Sequence, residues 1–291
     1  EDSFKETIEK YSLIEKGDRV MAAVSGGKDS TVMLYLLKKF GYDVEAVTVD
    51  AHIGCYSEEN VKNIRQFCDQ LGVKLFVASF NKNYGNSVCY ITSVLQEGNK
   101  NLGTCTVCGV LRRRLLNKSA REVGATKVAL GHNADDEVQA FLMNIFRNRQ
   151  SLNARLGPMP GVIKYKGFVP RIKPLYFATE DDITYYSKAK GFPVAYGECP
   201  CSTKSYRYFI KQFVKEAEKE YPQLKENTLK YLISKLPKLR AQYKGTTTPK
   251  ECVACGEPSA TQFCRSCALL EEFKQRSETT NQRPEATGQA Q

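Results

Sequence analysis

The sequence contains no apolar run approaching the roughly 18–20 residues that a helical membrane span needs. Its first residues, EDSFKETIEK, lack an apolar h-region, so they are not a secretory signal. No internal repeat is visible, and no CxxC pair precedes Cys105. Acidic residues are in deficit: 32 Asp and Glu face 43 Lys and Arg, a formal charge of +11. A cytoplasmic protein without a membrane partner is the expectation. The chain opens on Glu rather than Met, which leaves room for an upstream piece.

At 291 residues and 42% hydrophobic composition, the chain suits one large α/β domain with a small appendage. The positive charge is grouped at Arg112-Arg113-Arg114, at Arg147, Arg149 and Arg155, over 164–173 and over 230–250. Grouped cations favour a polyanion partner through phosphate contacts and counterion release. Solubility alone is the plainer alternative. Eleven cysteines, an odd count with CxxC spacing and no signal peptide, indicate metal ligation in a reducing compartment, not a disulfide framework.

The apolar run Val20–Val24 ends in SGGKDS, and a helical pattern follows from Thr31 to Phe40, stopped by Gly41. Val44–Asp50 and Val73–Phe80 are strand-like, with a helix between them from a Ser57 cap to Leu71. Gly109–Val123 reads as a helix, Lys127–Leu130 as a strand and Ala134–Asn148 as a helix. This alternation predicts a parallel, doubly wound α/β sheet over residues 1–200. Further helices are expected from Thr179 to Gly191, over Ser205–Glu220 and over Gln223–Leu236, the last two within a helical extension at 201–245. A linker at 245–249, a separate cysteine knot within 250–272 and a disordered tail at 277–291 complete the expectation.

Ligands in such sheets bind at the carboxyl ends of strands, where SGGKDS, DAHIG and GHNADDE all fall. In Ser25-Gly26-Gly27-Lys28-Asp29-Ser30 the glycines let backbone N–H groups approach an anion at a helix N-terminus. A Gly-Gly pair alone is a plain turn; the whole string after an apolar strand points to function. The spacing does not fit a Walker A loop. Cys105 and Cys108 open a basic helix, and Cys199 and Cys201 follow far along the chain. One CxxC is a zinc half-site, a redox pair or chance. With a third cysteine, a three-cysteine iron–sulfur cluster joins those options.

AVSGGKDS resembles the PP-loop of ATP pyrophosphatases, which adenylate a carbonyl oxygen and release pyrophosphate. Together with CTVCGVLRR, GHNADDE and ECPC…YR, it resembles the PP-loop tRNA 2-thiolation family over about Val20 to Leu270. That family includes the archaeal and eukaryotic wobble-uridine thiolases, TtuA and, more distantly, the 2-thiocytidine enzymes. The resemblance implies a 4Fe-4S cluster on Cys105, Cys108 and Cys199, its fourth iron open to the transferred sulfur. Cys201 stands where the family usually has an aromatic residue. The resemblance also implies ATP contacts at Ala23, Ser25, Gly26, Gly27, Lys28, Asp29, Ser30, Ile53, Arg112 and Gly131, with Mg2+ beside them. Asp136 takes the place of the catalytic acid, and Cys108 and Cys199 that of sulfur-handling residues. Asp135 and Asp136 are alternatively first-turn helix charges. His132 is expected to be a structural hydrogen-bonding residue and His52 part of the adenine-side loop. Cys55, Cys68 and Cys89 are expected to be core or surface thiols.

Cys252, Cys255, Cys264 and Cys267 form CxxC…CxxC, the spacing of a closed tetrahedral Zn2+ site with no position left open for catalysis. The resemblance gives this ribbon a role in gripping tRNA. The leading expectation is therefore a tRNA 2-thiouridine sulfurtransferase, with the wobble uridine favoured. T-loop 2-thiolation, 2-thiocytidine formation and a cluster-free persulfide relay through Cys108 and Cys199 are alternatives on the same fold. A non-catalytic zinc-ribbon RNA-binding protein is the alternative of another class. Sulfide or a thiocarboxylated ubiquitin-like protein is the expected sulfur donor, and a homodimer the expected assembly.

Overall fold

The computed structural model describes residues 1–99, 102–163, 165, 167–202, 205–244 and 249–281. Its centre is a parallel sheet of β1 (Val20–Ala23), β2 (Val44–Asp50), β3 (Leu75–Ser79), β4 (Lys127–Leu130) and β5 (Arg171–Ile172), in the order β3-β2-β1-β4-β5. The helices between β1 and β4 are α2 (Lys28–Lys39), α3 (Gly54–Leu71), α4 (Phe80–Tyr84), α5 (Val88–Gly98) and α6 (Thr104–Glu122), with α1 (Asp2–Lys10) ahead of β1. After β4 come α7 (Ala134–Phe146), α8 (Gln150–Asn153), α9 (Glu180–Ala189), α10 (Tyr206–Glu220) and α11 (Leu224–Gln242). An antiparallel pair, β6 (Lys250–Glu251) with β7 (Pro258–Ser259), and α12 (Arg265–Asn281) close the described chain. No helix among the described residues is long and apolar enough to cross a membrane.

Both faces of the sheet are covered, which is why its strands are short apolar runs rather than alternating ones. Val20, Ala22 and Val24 of the first run face one core, shared with Phe4 and Ile8 of α1, the apolar side of α2 and Ile183 of α9. Met21 faces the other with Val47, Val49 and Val128, covered by Ile91 and Leu95 of α5 and Leu111 and Leu115 of α6. Beyond this sandwich, α10 and α11 bury Ile210, Val214 and Leu229 against Ala134 and Val138 of α7.

The chain leaves β1 towards β2 and later returns to the opposite edge of β1 as β4. That reversal opens a crevice at the carboxyl ends of β1 and β4. Two glycines let the crevice form. A Cβ at Gly131 would meet Ser30 Cα and N at 2.8 Å, so the loop after β4 packs directly on the start of α2. Gly26 has φ +83°, and a Cβ there would lie 2.7 Å from Asn60 Oδ1 of α3.

Several boundaries differ from the sequence reading for identifiable reasons. α2 starts at Lys28 rather than Thr31, because the Ser30 and Thr31 hydroxyls donate back to the Gly27 carbonyl at 3.1 and 3.0 Å. α3 starts at Gly54, and Ser57 serves it from inside, its Oγ accepting the Ile53 N–H at 2.8 Å. α11 runs through Pro237 instead of stopping at Leu236. Leu232 and Leu236 are buried beside Phe141, and Arg240 donates to the carbonyls of Ala154, Leu156 and Met159 beyond the proline.

The cysteine knot does not stand apart. Glu257 pairs with Arg121 and accepts from Asn117 Nδ2 at 2.7 Å, both on α6. The expected disordered tail is helical as far as Asn281, because Leu269, Leu270 and Phe273 of α12 pack on the α5–α6 side of the core. Residues 282–291 lie outside the described residues, as do 245–248 of the expected linker and Lys164 and Lys166 of the basic stretch.

Candidate active site

A cleft of about 600 Å3 opens at the switch point. Ser25, Gly27, Lys28 and Asp29 of the loop line it together with Asn133 and Asp136, with Glu198 and Cys199, and with Arg207 and Lys211 of α10. The glycine loop and Cys199, about 170 residues apart in sequence, thus share one cavity.

The loop is braced by its own hydroxyls. The Ser25 N–H donates to Ser30 Oγ at 3.0 Å, and the N-terminus of α2 faces the cleft with Gly27 as its cap and no side-chain capping hydrogen bond. An uncapped helix start of this kind receives anions. Lys28 Nζ lies 3.2 Å from Asp29 Oδ2 and 3.1 Å from Glu180 Oε1.

The three acids after β4 separate into distinct roles. Asp135 is 9% exposed and fully engaged, meeting Lys225 Nζ at 2.5 Å and accepting the Glu180 N–H at 2.8 Å. Glu137 is buried against Lys173 and accepts the Gly157 N–H. Asp136 alone keeps a third of its side chain exposed to the cleft. Asn133 makes a capping box with it, Oδ1 accepting the Asp136 N–H at 3.0 Å, and Arg207 Nη1 holds its Oδ1 at 3.2 Å. Burial pushes the Asp29 carboxyl above its usual range, and Asp136 adds to the rise, against Lys28 and the Asn133 hydrogen bond.

Cys105 and Cys108 occupy the first turns of α6, where thiolates face the positive end of the helix. Cys105 lies within electrostatic reach of Cys108, Cys199 and Arg207, and its Sγ donates to the Cys201 carbonyl at 3.5 Å. Cys201 packs its thiol against those of Cys199 and Cys89, and burial with these neighbours pushes it up to about 12. Among the described residues, Cys105, Cys108 and Cys199 do not converge as closely as the four knot cysteines. A cubane places each thiolate on a different iron and so spreads its ligands wider than a single ion does. Cys105 is a near neighbour of both other thiols, the proximity that such a group requires of its ligands.

Arg112 and Cys199 both act on the Tyr56 phenol, which lines the cleft. Ala23 and Ile53 lie at the carboxyl ends of the neighbouring strands, half-buried against the second core, and do not line the cleft. His52 is held by Asp50 and Ser79. His132, expected to be a structural hydrogen-bonding residue, is exposed. Arg113 and Arg265 repel one another, and so do Arg113 and Arg171; partial burial and this crowding bring Arg171 down to about 10. Arg113 of α6, Arg171 of β5 and Arg265 at the start of α12 thus form a partly exposed cationic cluster.

In the knot, the ligand atoms of Cys252, Cys255, Cys264 and Cys267 all lie within 4.8 Å of one another. The Cys255 and Cys264 sulfurs are 3.7 Å apart, close to the ~3.8 Å edge of a tetrahedron with 2.3 Å Zn–S bonds. Burial raises the Cys252 thiol, but backbone N–H donors including that of Cys264 hold it at about 6.

The profile of the PP-loop domain family matches residues 1–218, which carry the whole cleft. The chain belongs to the PP-loop family. Relatives of this PP-loop protein include the cytoplasmic tRNA 2-thiolation protein 1 of Caenorhabditis briggsae, 33% identical over 279 residues, 93% of this chain and 72% of that one. The tRNA-5-methyluridine(54) 2-sulfurtransferase of Pyrococcus horikoshii is 31% identical over 296 residues, covering 98% of this chain and 92% of the relative. Among solved structures, the U34-tRNA thiolase NcsA of Methanococcus maripaludis with its 4Fe-4S cluster superposes with a TM-score of 0.75 at 26% identity, over 93% of this chain and 86% of that one.

The sequence did not single out Glu180, Lys211 or Cys89 as site residues. Glu180 reads as an ordinary first-turn helix acid and Lys211 as a surface lysine. Only the tertiary fold brings them to the PP-loop, and Cys89 to Cys201.

Proposed function

We propose that this chain is an ATP-dependent tRNA 2-sulfurtransferase of the cytoplasm. The observation that carries the reading is the single cleft holding the PP-loop and Cys199. ATP binds with its phosphates on the N-terminus of α2 and Lys28. The uridine C2 carbonyl oxygen attacks the α-phosphate, the α–β bond breaks, and pyrophosphate leaves. A sulfur nucleophile then adds at C2, and the former carbonyl oxygen departs with AMP. A ring oxygen is a poor leaving group; as part of AMP it is a good one.

Asp29 and Asp136 offer adjacent carboxylate oxygens for Mg2+, which suits a hard cation. Asn133 and Arg207 fix those carboxylates in place. Cys105, Cys108 and Cys199 would hold the 4Fe-4S cluster, which when bound supplies an iron site that presents sulfur as a positioned nucleophile. The knot cysteines would hold Zn2+, and the cationic surface beside it would take tRNA phosphates. The sulfur comes from sulfide or a thiocarboxylated ubiquitin-like protein, and the enzyme works as a homodimer.

The wobble uridine is the favoured target, supported by the CGVLRR string and by the likeness to NcsA. The Pyrococcus relative, matched over nearly its whole length, favours the T-loop as the second reading. Mass spectrometry of nucleosides from tRNA of a deletion strain, mapped by position, tests both. Loss of 2-thiouridine at the wobble position is expected; unchanged 2-thiolation at every position would overturn the reading.

A further inference from the structure

One Glu180 carboxylate oxygen, Oε1, lies 3.1 Å from Lys28 Nζ of the PP-loop and 3.1 Å from Lys211 Nζ of α10. Two ammonium groups from segments far apart in the chain are thus gathered around a single anionic oxygen. The gathering is built, not incidental. Ile210 and Val214 are buried against α7, which turns the intervening Lys211 towards the cleft. Glu180 is fixed from behind, its N–H donating to Asp135 Oδ2 at 2.8 Å, and Asp135 is itself anchored by Lys225.

The other cation of α10 in the cleft, Arg207, is already committed to Asp136 and Gln139. Among the described residues, Lys211 is held by the two carboxylates of Glu180 and Glu198, and a third of its side chain remains exposed. An oxygen bridging two ammonium groups has the geometry of a phosphate oxygen in a two-lysine grip, and a pyrophosphate group carries more charge than a carboxylate. We infer that Lys211 is a second phosphate-binding cation of the PP-loop site, and that Glu180 is an internal anion which the β- and γ-phosphates displace from both lysines. The inference rests on the reading of the cleft as an ATP site. Because Lys211 also touches Glu198, next to Cys199, its transfer to phosphate also frees the carboxylate next to the thiol.

Calorimetric titration of the full chain with magnesium pyrophosphate, ATP and AMP tests this. Lys211→Met should weaken pyrophosphate and ATP by about tenfold or more, the loss of one charge-assisted contact, and leave AMP unchanged. Glu180→Gln should tighten pyrophosphate several-fold, since a competing anion is removed, again without effect on AMP. Unchanged pyrophosphate affinity in Lys211→Met would overturn the proposal, as would equal losses for all three ligands, which mark a purely structural tie. Weaker pyrophosphate binding in Glu180→Gln would overturn the displacement. If the unaltered chain binds neither ATP nor pyrophosphate, the nucleotide reading itself fails instead.

Discussion

Asn133 Nδ2 donates to Asp29 Oδ1 at 2.8 Å, so the residue that caps α7 also orients the acid of the PP-loop. Asn133→Ala should cost about 1 kcal/mol of stability for the lost cap. It should cost more in catalysis, because Asp29 loses the Asn133 hydrogen bond while Asp136 loses its capping box. Asp29→Ala should abolish ATP-dependent thiolation and leave bound zinc unchanged. Pyrophosphate release and metal analysis of the same preparations check both; normal turnover in Asp29→Ala would contradict the loop assignment.

The raised Asp29 carboxyl has a stability signature. Its folded value lies above 3.8, so the folded state binds the proton more tightly than the unfolded chain. Above the raised value the residue is ionised in both states, and there its partly buried charge destabilises the fold. Asp29→Asn should therefore raise the melting temperature at pH values above the raised one while removing activity. The gain over the unaltered protein should shrink as pH falls from above the raised value and vanish below about 3.8. A gain that grows on acidification would reverse the assigned sign.

Cys199 faces the PP-loop cleft, whereas Cys201 offers its carbonyl to Cys105 and its thiol to Cys89 and Cys199. Cys199→Ala should lose the iron–sulfur absorbance under anaerobic reconstitution, and Cys201→Ala should retain it. The reverse result would exchange the two roles.

Glu137 and Lys173 form a buried ion pair, 2% and 7% exposed. Lys173→Met leaves a buried carboxylate unpaired and should cost about 3–5 kcal/mol in urea denaturation. The double variant Glu137→Leu with Lys173→Met should recover most of that loss. Equal losses in single and double variants would mean that the pair is not the cause.

Cys264→Ser should release zinc from the knot and weaken tRNA binding in a filter assay, with ATP affinity retained, since no knot residue lines the cleft. Loss of ATP affinity would show that the knot supports the nucleotide site directly.

The parts of the fold that could be read from the sequence were those with a local signature. β2 and β4 fall on apolar runs bounded by polar or turn residues, and α7 carries its cap and acids in consecutive positions. The motifs at strand ends converge because a doubly wound sheet puts all its carboxyl ends on one side. Elements whose stability comes from distant partners were not legible. α1 is short and mixed in charge, and it is held by Phe4 and Ile8 entering a core built from later residues. α12 extends past Ser277 on packing that begins at Leu269. Pro237 signals a helix end, and Arg240 clamping three carbonyls overrides it. In the site, charge alone could not separate Asp135, Asp136 and Glu137; their partners Lys225, Arg207 and Lys173 do so only in three dimensions.

α6 begins with Cys105 and Cys108 and carries, further along, Asn117 and Arg121, which grip the knot through Glu257. At 1.5 Å of rise per residue, Asn117 stands about 18 Å along the axis from Cys105. One stiff rod thus fixes the span between the cysteine knot and the thiols. A nucleic acid held at the knot would be kept at that separation from the thiols. In that arrangement the length of α6 would set the reach between the two ends.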